Sequence, residues 1–190
     1  LESLGHDVEE AAPLVPSEGI MTALAIGMAA PLTARVDAWL ESTDRTLGDD
    51  DLEPFTRVIY DVGKGLSGVD VVRALEAVER TGHAVGPFFE RYDLLLTATI
   101  AEPAPALGVL DTTRPEVMYA RAGDFSANTS IYNITGQPAI SLPTALDAGG
   151  VPIGTQLAAR FGDEALLLRV ASQIEAAEPW PTRPALPQRF

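Results

Sequence analysis

The chain has 190 residues, 46% of them hydrophobic, so it is long and apolar enough to bury the core of one domain. Its 27 acidic and 13 basic residues give a net charge of −14, which repels phosphate backbones and anionic lipid headgroups. We therefore expect neither a nucleic-acid partner nor a membrane partner. Because the chain contains no cysteine, a disulfide framework, a thiolate nucleophile and a zinc–thiolate site are excluded.

Residues 1–91 are predicted to be mostly helical. Residues 2–4 resemble the last turn of a helix that Gly5 stops, and residues 6–9 are predicted to form a strand. Apolar residues at helical spacing predict a helix over 17–45, with Ser17 as its cap and Pro31 as a break. The longest apolar run, residues 20–32, is too short to span a bilayer.

Two further helices are predicted in this part of the chain. The first covers residues 52–64 and follows the acidic residues 49–51, which we interpret as helix-capping residues rather than a metal site. The second covers residues 69–91 and is interrupted around Gly82, Gly86 and Pro87. Its apolar positions fall three or four apart and predict a core-facing side: Val69, Val72, Leu75, Val78 and Val85.

Residues 92–178 are predicted to contain both strands and helices. A buried strand over 93–99 is followed by a loop and by a helix over 118–134. Two strands, 139–142 and 153–157, are separated by a turn that contains Asp147 and two glycines, which predicts a hairpin. Asp163 and Glu164 begin the last helix, whose predicted sheet-facing side is Leu166, Leu167, Val170, Ile174 and Ala177. The proline-rich tail, 179–190, is expected to be an extended strap.

Several ordered motifs resemble one enzyme family. Residues 133–143 have the pattern NxxGQPAxSxP, residues 150–157 have GxPxGxQL, and residues 162–175 have GDExLLLRxAxxxE. Upstream, YDLLLTAT at 92–99 is similar to a strand motif of the same family, with Ala98 in place of the usual proline. These motifs resemble the C-terminal segment of the amidase signature hydrolases.

The resemblance implies a fold and a chemistry. The fold class is α/β: the chain, 1–190, would be the C-terminal part of an α/β/α sandwich with a mixed, twisted sheet. The family hydrolyses amides with a serine nucleophile, a second serine in a cis peptide and a lysine base. That region precedes the LGHxV element, which matches residues 4–8, so it would lie before Leu1. We therefore assign no catalytic residue to this chain, and no metal or cofactor.

Other candidate catalytic residues have simpler interpretations. Lys64, the only lysine, lies three residues from Ser67, but the surrounding glycines favour a solvated lysine and a helix-capping serine. The two histidines, His6 and His83, are expected to be surface or hydrogen-bonded structural residues. Ser141 is expected to be a strand serine with a local hydrogen bond, and Gln156 a buried amide with partners inside the fold.

The segment that precedes the NxxG element is the candidate for substrate contact. In some relatives the corresponding stretch faces the acyl-binding pocket and carries an acidic residue, whereas Ser126 occupies that position here. We predict substrate-binding roles for Phe125, Ser126 and Asn128, with core helix packing as the alternative. The expected substrate is an acyl amide, hydrophobic or aryl, and linear oligoamides remain open.

Taken together, the residues predict the C-terminal half of an amidase that is inactive by itself. Its expected partners are the N-terminal catalytic half and a small-molecule amide, a homodimer is compatible with the chain, and its expected location is the cytoplasm. The alternative is a noncatalytic interaction or assembly module that keeps the same fold. Because the sequence starts at Leu1 and not at a methionine, we expect it to be part of a longer chain.

Overall fold

The computed structural model of the chain describes residues 1–16 and 19–180. The predicted cap Ser17 and the part of the tail from residue 181 lie outside these residues. A short 3-10 turn at Glu2–Leu4 is followed by these elements: α1 (Ile20–Thr43), α2 (Pro54–Lys64), α3 (Gly68–Val85), α4 (Phe88–Arg91), β1 (Leu94–Ala98), α5 (Pro115–Phe125), α6 (Ser130–Thr135), β2 (Ala139–Leu146), β3 (Pro152–Ala159) and α7 (Glu164–Ala177).

The strand predicted over residues 6–9 is wrong. Gly5 does end the first turn, in a left-handed conformation with φ of 90°. Beyond it the backbone is irregular, because residues 7–10 are exposed and have no apolar face to bury. The segment lies beside α7 instead, where His6 Nε2 is 2.8 Å from Gln173 Oε1. This contact confirms the interpretation of His6 as a hydrogen-bonded structural residue.

Helix α1 continues through Pro31, so the predicted break is wrong. A proline inside a helix removes the hydrogen bond to the carbonyl four residues earlier, which here belongs to Gly27. Both Gly27 and Pro31 are exposed, so water can solvate that carbonyl. The buried face of α1 is on another side and consists of Ala23, Ile26, Ala29 and Thr33.

By length and composition α1 is the one helix among the described residues that could cross a membrane. Core helices of soluble proteins meet the same criterion. In this structure α1 packs on α2 and α3, with Ala23 and Ile26 buried against Ala74 and Ala77 of α3. The packing therefore accounts for the apolar residues on the buried face of α1.

The ends of α2 and α3 test two predicted caps. No carboxylate of residues 49–51 caps α2, which begins after Glu53 without a side-chain cap. Asp51 instead accepts a hydrogen bond from Gly48 N at 2.8 Å, so this capping prediction is wrong. The predicted cap at Ser67 is confirmed, because its hydroxyl accepts from Asp70 N while the Asp70 carboxylate accepts from Ser67 N.

The core-facing side predicted for α3 is mostly wrong. Val69, Val72 and Leu75 are 58%, 54% and 62% exposed. The buried side carries smaller residues, Ala74, Ala77 and Thr81, together with Val85. Small side chains suit this side because α1 approaches closely, with Gly19 next to Ala77. The helix runs through Gly82 and ends before Gly86, where a break was predicted.

The sheet has three strands in the order β1-β3-β2, and both pairings are antiparallel. The predicted hairpin is therefore confirmed as β2 and β3, and the strand predicted over 93–99 as β1. The expectation that this strand is buried is wrong, because β1 lies at the edge of the sheet and none of its residues is fully buried. The parallel pairing that a mixed sheet also requires does not occur among the strands described here. The helix predicted over 118–134 is two helices, α5 and α6, separated by residues 126–129.

Helices cover both faces of the sheet, which gives an α/β/α arrangement. On one face Leu167, Val170 and Ala171 of α7 pack against Leu142 and Leu157. This confirms the predicted sheet-facing side of α7, except that Ala177 is exposed. On the other face a second cluster covers one end of the sheet: Val85, Phe89, Tyr132 and Ala158. The other end of that face is polar.

Candidate functional site

A row of polar side chains crosses the sheet on the face opposite α7. In the strand register Gln156 of β3 is paired with Thr97 of β1 and with Ser141 of β2. Directly paired residues in an antiparallel sheet project to the same face, so the three side chains lie side by side. Gln156 is 4% exposed, and its Nε2 donates to Thr97 Oγ1 at 3.1 Å. This confirms the expected buried amide with partners inside the fold.

One member of this row, Ser141, also belongs to a hydroxyl pair. Thr99 Oγ1 and Ser141 Oγ are 2.6 Å apart and meet above Gly154 of the middle strand. A Cβ atom at Gly154 would lie 2.6 Å from Thr99 Oγ1 and 2.8 Å from Ser141 Oγ, so only glycine leaves room for the pair. One hydroxyl donates to the other, and the hydrogen of the second remains available to an outside acceptor.

The candidate substrate segment covers residues 123–129, and its last part, residues 126–129, lies at the same polar end of the sheet. Asn128 Nδ2 donates to Ala98 O at 3.0 Å, and Asn128 O accepts from Gln156 Nε2 at 2.8 Å. Ser126 ends α5, is half-buried, and accepts at its carbonyl from Thr129 N at 2.9 Å. The fold therefore brings one of the three predicted substrate-binding residues, Asn128, into contact with the polar row.

The third predicted residue, Phe125, is 8% exposed and lies under a guanidinium group. Arg121 Cζ is 4.9 Å from the ring centroid, a cation–π distance. Arg121 also binds Glu102 at 3.0 Å and Asp124 at 3.2 Å. The Glu102 carboxylate, followed by that of Asp124, raises the pKa of Arg121. Both carboxylates near the segment are therefore already paired with a cation.

The remaining candidates have structural roles. Lys64 Nζ is 2.8 Å from Asp37 Oδ2, and Tyr60 Oη donates to Asp37 Oδ1 at 2.6 Å, which connects α2 to α1. The hydrogen bond from Lys64, followed by that from Tyr60, lowers the pKa of Asp37. The bond between Lys64 and Asp37 also raises the pKa of Lys64. The Ser67 hydroxyl is used in the α3 cap. Lys64 and Ser67 therefore do not form a base–nucleophile pair.

Two surface hollows occur on the helical side of the molecule. One is lined by residues of α1 together with Arg45 and Lys64, and the other lies between Gly27 and Ile59 on α1 and α2. Neither hollow includes a residue of the 126–129 segment. Both are open to solvent.

Sequence reasoning did not find the hydroxyl pair of Thr99 and Ser141. A signal for it exists, because Gly154 and Gln156 both belong to the GxPxGxQL motif, two residues apart and on one face of a strand. A glycine inside a strand indicates a close approach by another group. The partner of that approach, Thr99, is 55 positions earlier and cannot be identified from local spacing.

Comparisons with known proteins place these features in a family. A family model described as Amidase matches residues 1–168. A protein of Mycobacterium leprae named as the amidase AmiC is 35% identical over 184 residues, which are 95% of this chain and 38% of that protein. The 6-aminohexanoate-cyclic-dimer hydrolase of Paenarthrobacter ureafaciens is 29% identical over 192 residues, 96% of this chain and 39% of the enzyme.

Solved structures agree with these matches. A structure of 6-aminohexanoate cyclic dimer hydrolase superposes with a TM-score of 0.84 at 28% identity, over 96% of this chain and 40% of that one. A bacterial aryl acylamidase shares the fold, with a TM-score of 0.67 at 20% identity over 87% of this chain and 35% of that one. The chain spans about two fifths of the length of the curated relatives it matches. The motifs, the fold and the match over residues 1–168 show that the chain belongs to the amidase family.

Proposed function

We propose that this chain is the C-terminal part of an amidase that hydrolyses a carboxylic acid amide to an acid and an amine or ammonia. The observation that carries the proposal is the match of residues 1–168 to the amidase family, combined with the limited length of the chain. The chain corresponds to only 38% of the similar amidase of Mycobacterium leprae. The serine nucleophile, the cis serine and the lysine base would come from a preceding catalytic half. Backbone N–H groups of that half would stabilise the oxyanion.

The chain's own residues support the proposal that the catalytic groups come from the preceding half. Its only lysine, Lys64, is paired with Asp37, and no GGSSGG-like segment occurs in its sequence. A base must be neutral to accept a proton from serine, and Lys64 is an exposed ammonium group paired with a carboxylate. In our proposal the base and the nucleophile therefore come from outside this chain.

Features of the chain's surface support the proposal that a large partner binds it. Strands β1 and β2 are both edges of the three-stranded sheet. Four apolar side chains on or near the sheet are exposed: Leu96 47%, Leu146 67%, Phe161 73% and Leu168 63%. Edge strands of a sheet are normally covered or otherwise protected from pairing. In our proposal the catalytic half covers them and supplies the second wall of the substrate pocket.

We propose an uncharged acyl amide as the substrate, with Ser126, Asn128 and Phe125 on the acyl side of the pocket. The carboxylate closest in sequence, Asp124, is bound to Arg121 at 3.2 Å, so it is not free to bind a substrate ammonium group. Aliphatic and aryl amides therefore fit better than amides of amino acids with a free amine. The relative named as a 6-aminohexanoate-cyclic-dimer hydrolase is consistent with an uncharged cyclic amide as one such substrate.

The test compares three preparations: the purified chain, the separately produced catalytic half and the complete enzyme. Each is incubated with hexanamide, benzamide and glycinamide, and ammonia release is measured. We expect no turnover by either half alone, turnover of hexanamide and benzamide by the complete enzyme, and slower turnover of glycinamide. Turnover by the chain alone would contradict the proposal. A natural reading frame without a serine- and lysine-containing catalytic region would favour the noncatalytic module.

The location and assembly of the enzyme are further parts of the proposal. We place the complete enzyme in the cytoplasm, because the acidic, cysteine-free chain needs no oxidising compartment. Fractionation of the source cells and light scattering of the purified enzyme measure its location and whether it forms a homodimer.

A further inference from the structure

Gln156 joins the 126–129 segment to the sheet. Both hydrogens of its side-chain amide are used, one in a 2.8 Å bond to Asn128 O and the other in a 3.1 Å bond to Thr97 Oγ1. Asn128 in turn donates from Nδ2 to Ala98 O at 3.0 Å. A single residue of the segment, Asn128, is therefore bound to β3 through its carbonyl and to β1 through its side chain.

The other hydrogen bonds of the segment do not reach a strand. Thr129 N and Ser130 Oγ both donate to Ser126 O, at 2.9 Å and 2.8 Å. These bonds fix the curvature between α5 and α6. Packing of Tyr132 in α6 against Ala158 of β3 holds the C-terminal side of the segment near the sheet. Among the residues that the structure describes, the hydrogen bonds that join the segment directly to the strands are those of Asn128 with Gln156 and Ala98.

We propose that Gln156 is a positioning residue, which fixes the 126–129 segment and thereby sets the preference for the acyl group of the substrate. The inference rests on the proposed function, since it takes the segment to line the acyl side of the pocket. Gln156 does not touch the reacting atoms. It acts through Asn128, by holding the segment at the distance from β1 and β3 at which the acyl group is accommodated.

The chemistry of the site requires an amide at this position. Asn128 O can only accept, so its partner must be a donor. Gln156→Glu keeps the shape of the side chain, and at a pH that ionises the carboxyl it replaces the donor with a carboxylate oxygen, which repels the Asn128 carbonyl in a site that is 4% exposed. We expect the segment to move away from β3, because Asn128 O gains a partner only by reaching water.

The test measures acyl selectivity in the complete enzyme. For Gln156→Glu we expect kcat/KM for hexanamide to fall by about 10- to 100-fold, as a displaced pocket wall would cause, and kcat/KM for acetamide to fall by less than about threefold. Acetamide is too short to depend on the acyl wall. The matched control is Gln173→Glu on α7, an exposed glutamine that also donates to a backbone carbonyl, and it should leave both values unchanged.

Hydrogen exchange gives a second readout that does not depend on catalysis. In Gln156→Glu the amides of residues 128–132 should exchange faster than in the wild type, while those of α7 should not change. Equal loss of kcat/KM on both substrates, or unchanged exchange in the segment, would overturn the proposal. If the wild type hydrolyses no amide, the proposed function fails and the exchange alone decides the positioning role. If Gln156→Glu does not fold, Gln156→Met, which keeps the length of the side chain and removes both donors, provides the same comparison.

Discussion

Gly63 lies where α2 crosses α1, and its lack of a side chain permits the two helices to approach. A Cβ atom at this position would lie 2.6 Å from Ala29 O and would overlap Thr33 Oγ1. Ordinary van der Waals contact begins at 3.4 Å, so Gly63→Ala requires the backbones of α1 and α2 to separate. Thr33 would also have to rotate, which breaks its 3.0 Å bond to Tyr60 O.

The expected net effect of Gly63→Ala is a loss of about 1–3 kcal/mol in the free energy of unfolding. Overpacking costs about 1–3 kcal/mol. The broken Thr33 bond adds about 1 kcal/mol. The greater helix propensity of alanine offsets about 1 kcal/mol of this.

Urea denaturation followed by circular dichroism measures the effect. The matched control is Gly82→Ala in α3, because a Cβ there has no neighbour within 4 Å. That variant should gain about 0.5–1 kcal/mol from helix propensity and the lower entropy of the unfolded chain. The two substitutions are chemically identical, so their opposite signs isolate the contact with α1. If Gly63→Ala is as stable as Gly82→Ala, the close approach of α1 and α2 is refuted.

Three further predictions concern the core, a helix cap and a carboxylate. Leu157→Ala should lower the free energy of unfolding by about 2–5 kcal/mol in urea denaturation, because Leu157 is fully buried in the middle strand. Ser67→Ala should lower it by about 1 kcal/mol by the same measurement, since it removes the α3 cap. Hydrogen bonds from Lys64 and then Tyr60 lower the pKa of Asp37 in the folded state. The Asp37 carboxylate therefore stabilises the fold at pH values above its unfolded-state pKa. This contribution is lost as the pH falls through the folded-state pKa. Asp37→Asn should therefore flatten the acid side of the stability profile measured between about pH 6 and pH 3, and an unchanged slope would contradict the assignment.

The strands were predictable because their signals are local. The run of Leu94, Leu95 and Leu96 between an aspartate and a proline-rich loop predicts a strand, and the structure places β1 there, although at the edge of the sheet and only partly buried. The turn at residues 147–150 likewise predicts the hairpin of β2 and β3. In both cases the chain neighbours of the strand carry the information, so no knowledge of distant packing is needed.

The candidate site was predictable only in part, because its geometry combines distant segments. The motif indicated that Gln156 is a buried amide, and the resemblance to the amidase signature family indicated the segment that contains Asn128. The bond between them joins residues 28 positions apart, and the Thr99–Ser141 pair joins residues 42 positions apart. Such contacts follow from strand order and register, which a single sequence does not specify.

Helix α3 shows why a correct helix prediction can still assign the wrong buried side. Its sequence carries two stripes at helical spacing, one of large residues that includes Val72 and Leu75, and one of small residues that includes Ala74 and Ala77. Hydrophobicity alone favours the large stripe, because it offers more apolar area. The structure buries the small one, since α1 presents Gly19 and Ala23 to it and close helix packing leaves no space for larger side chains. The partner helix therefore decides which of the two stripes is buried. The large stripe, with Val69, Val72 and Leu75, remains an exposed apolar surface that the described part of the chain does not cover.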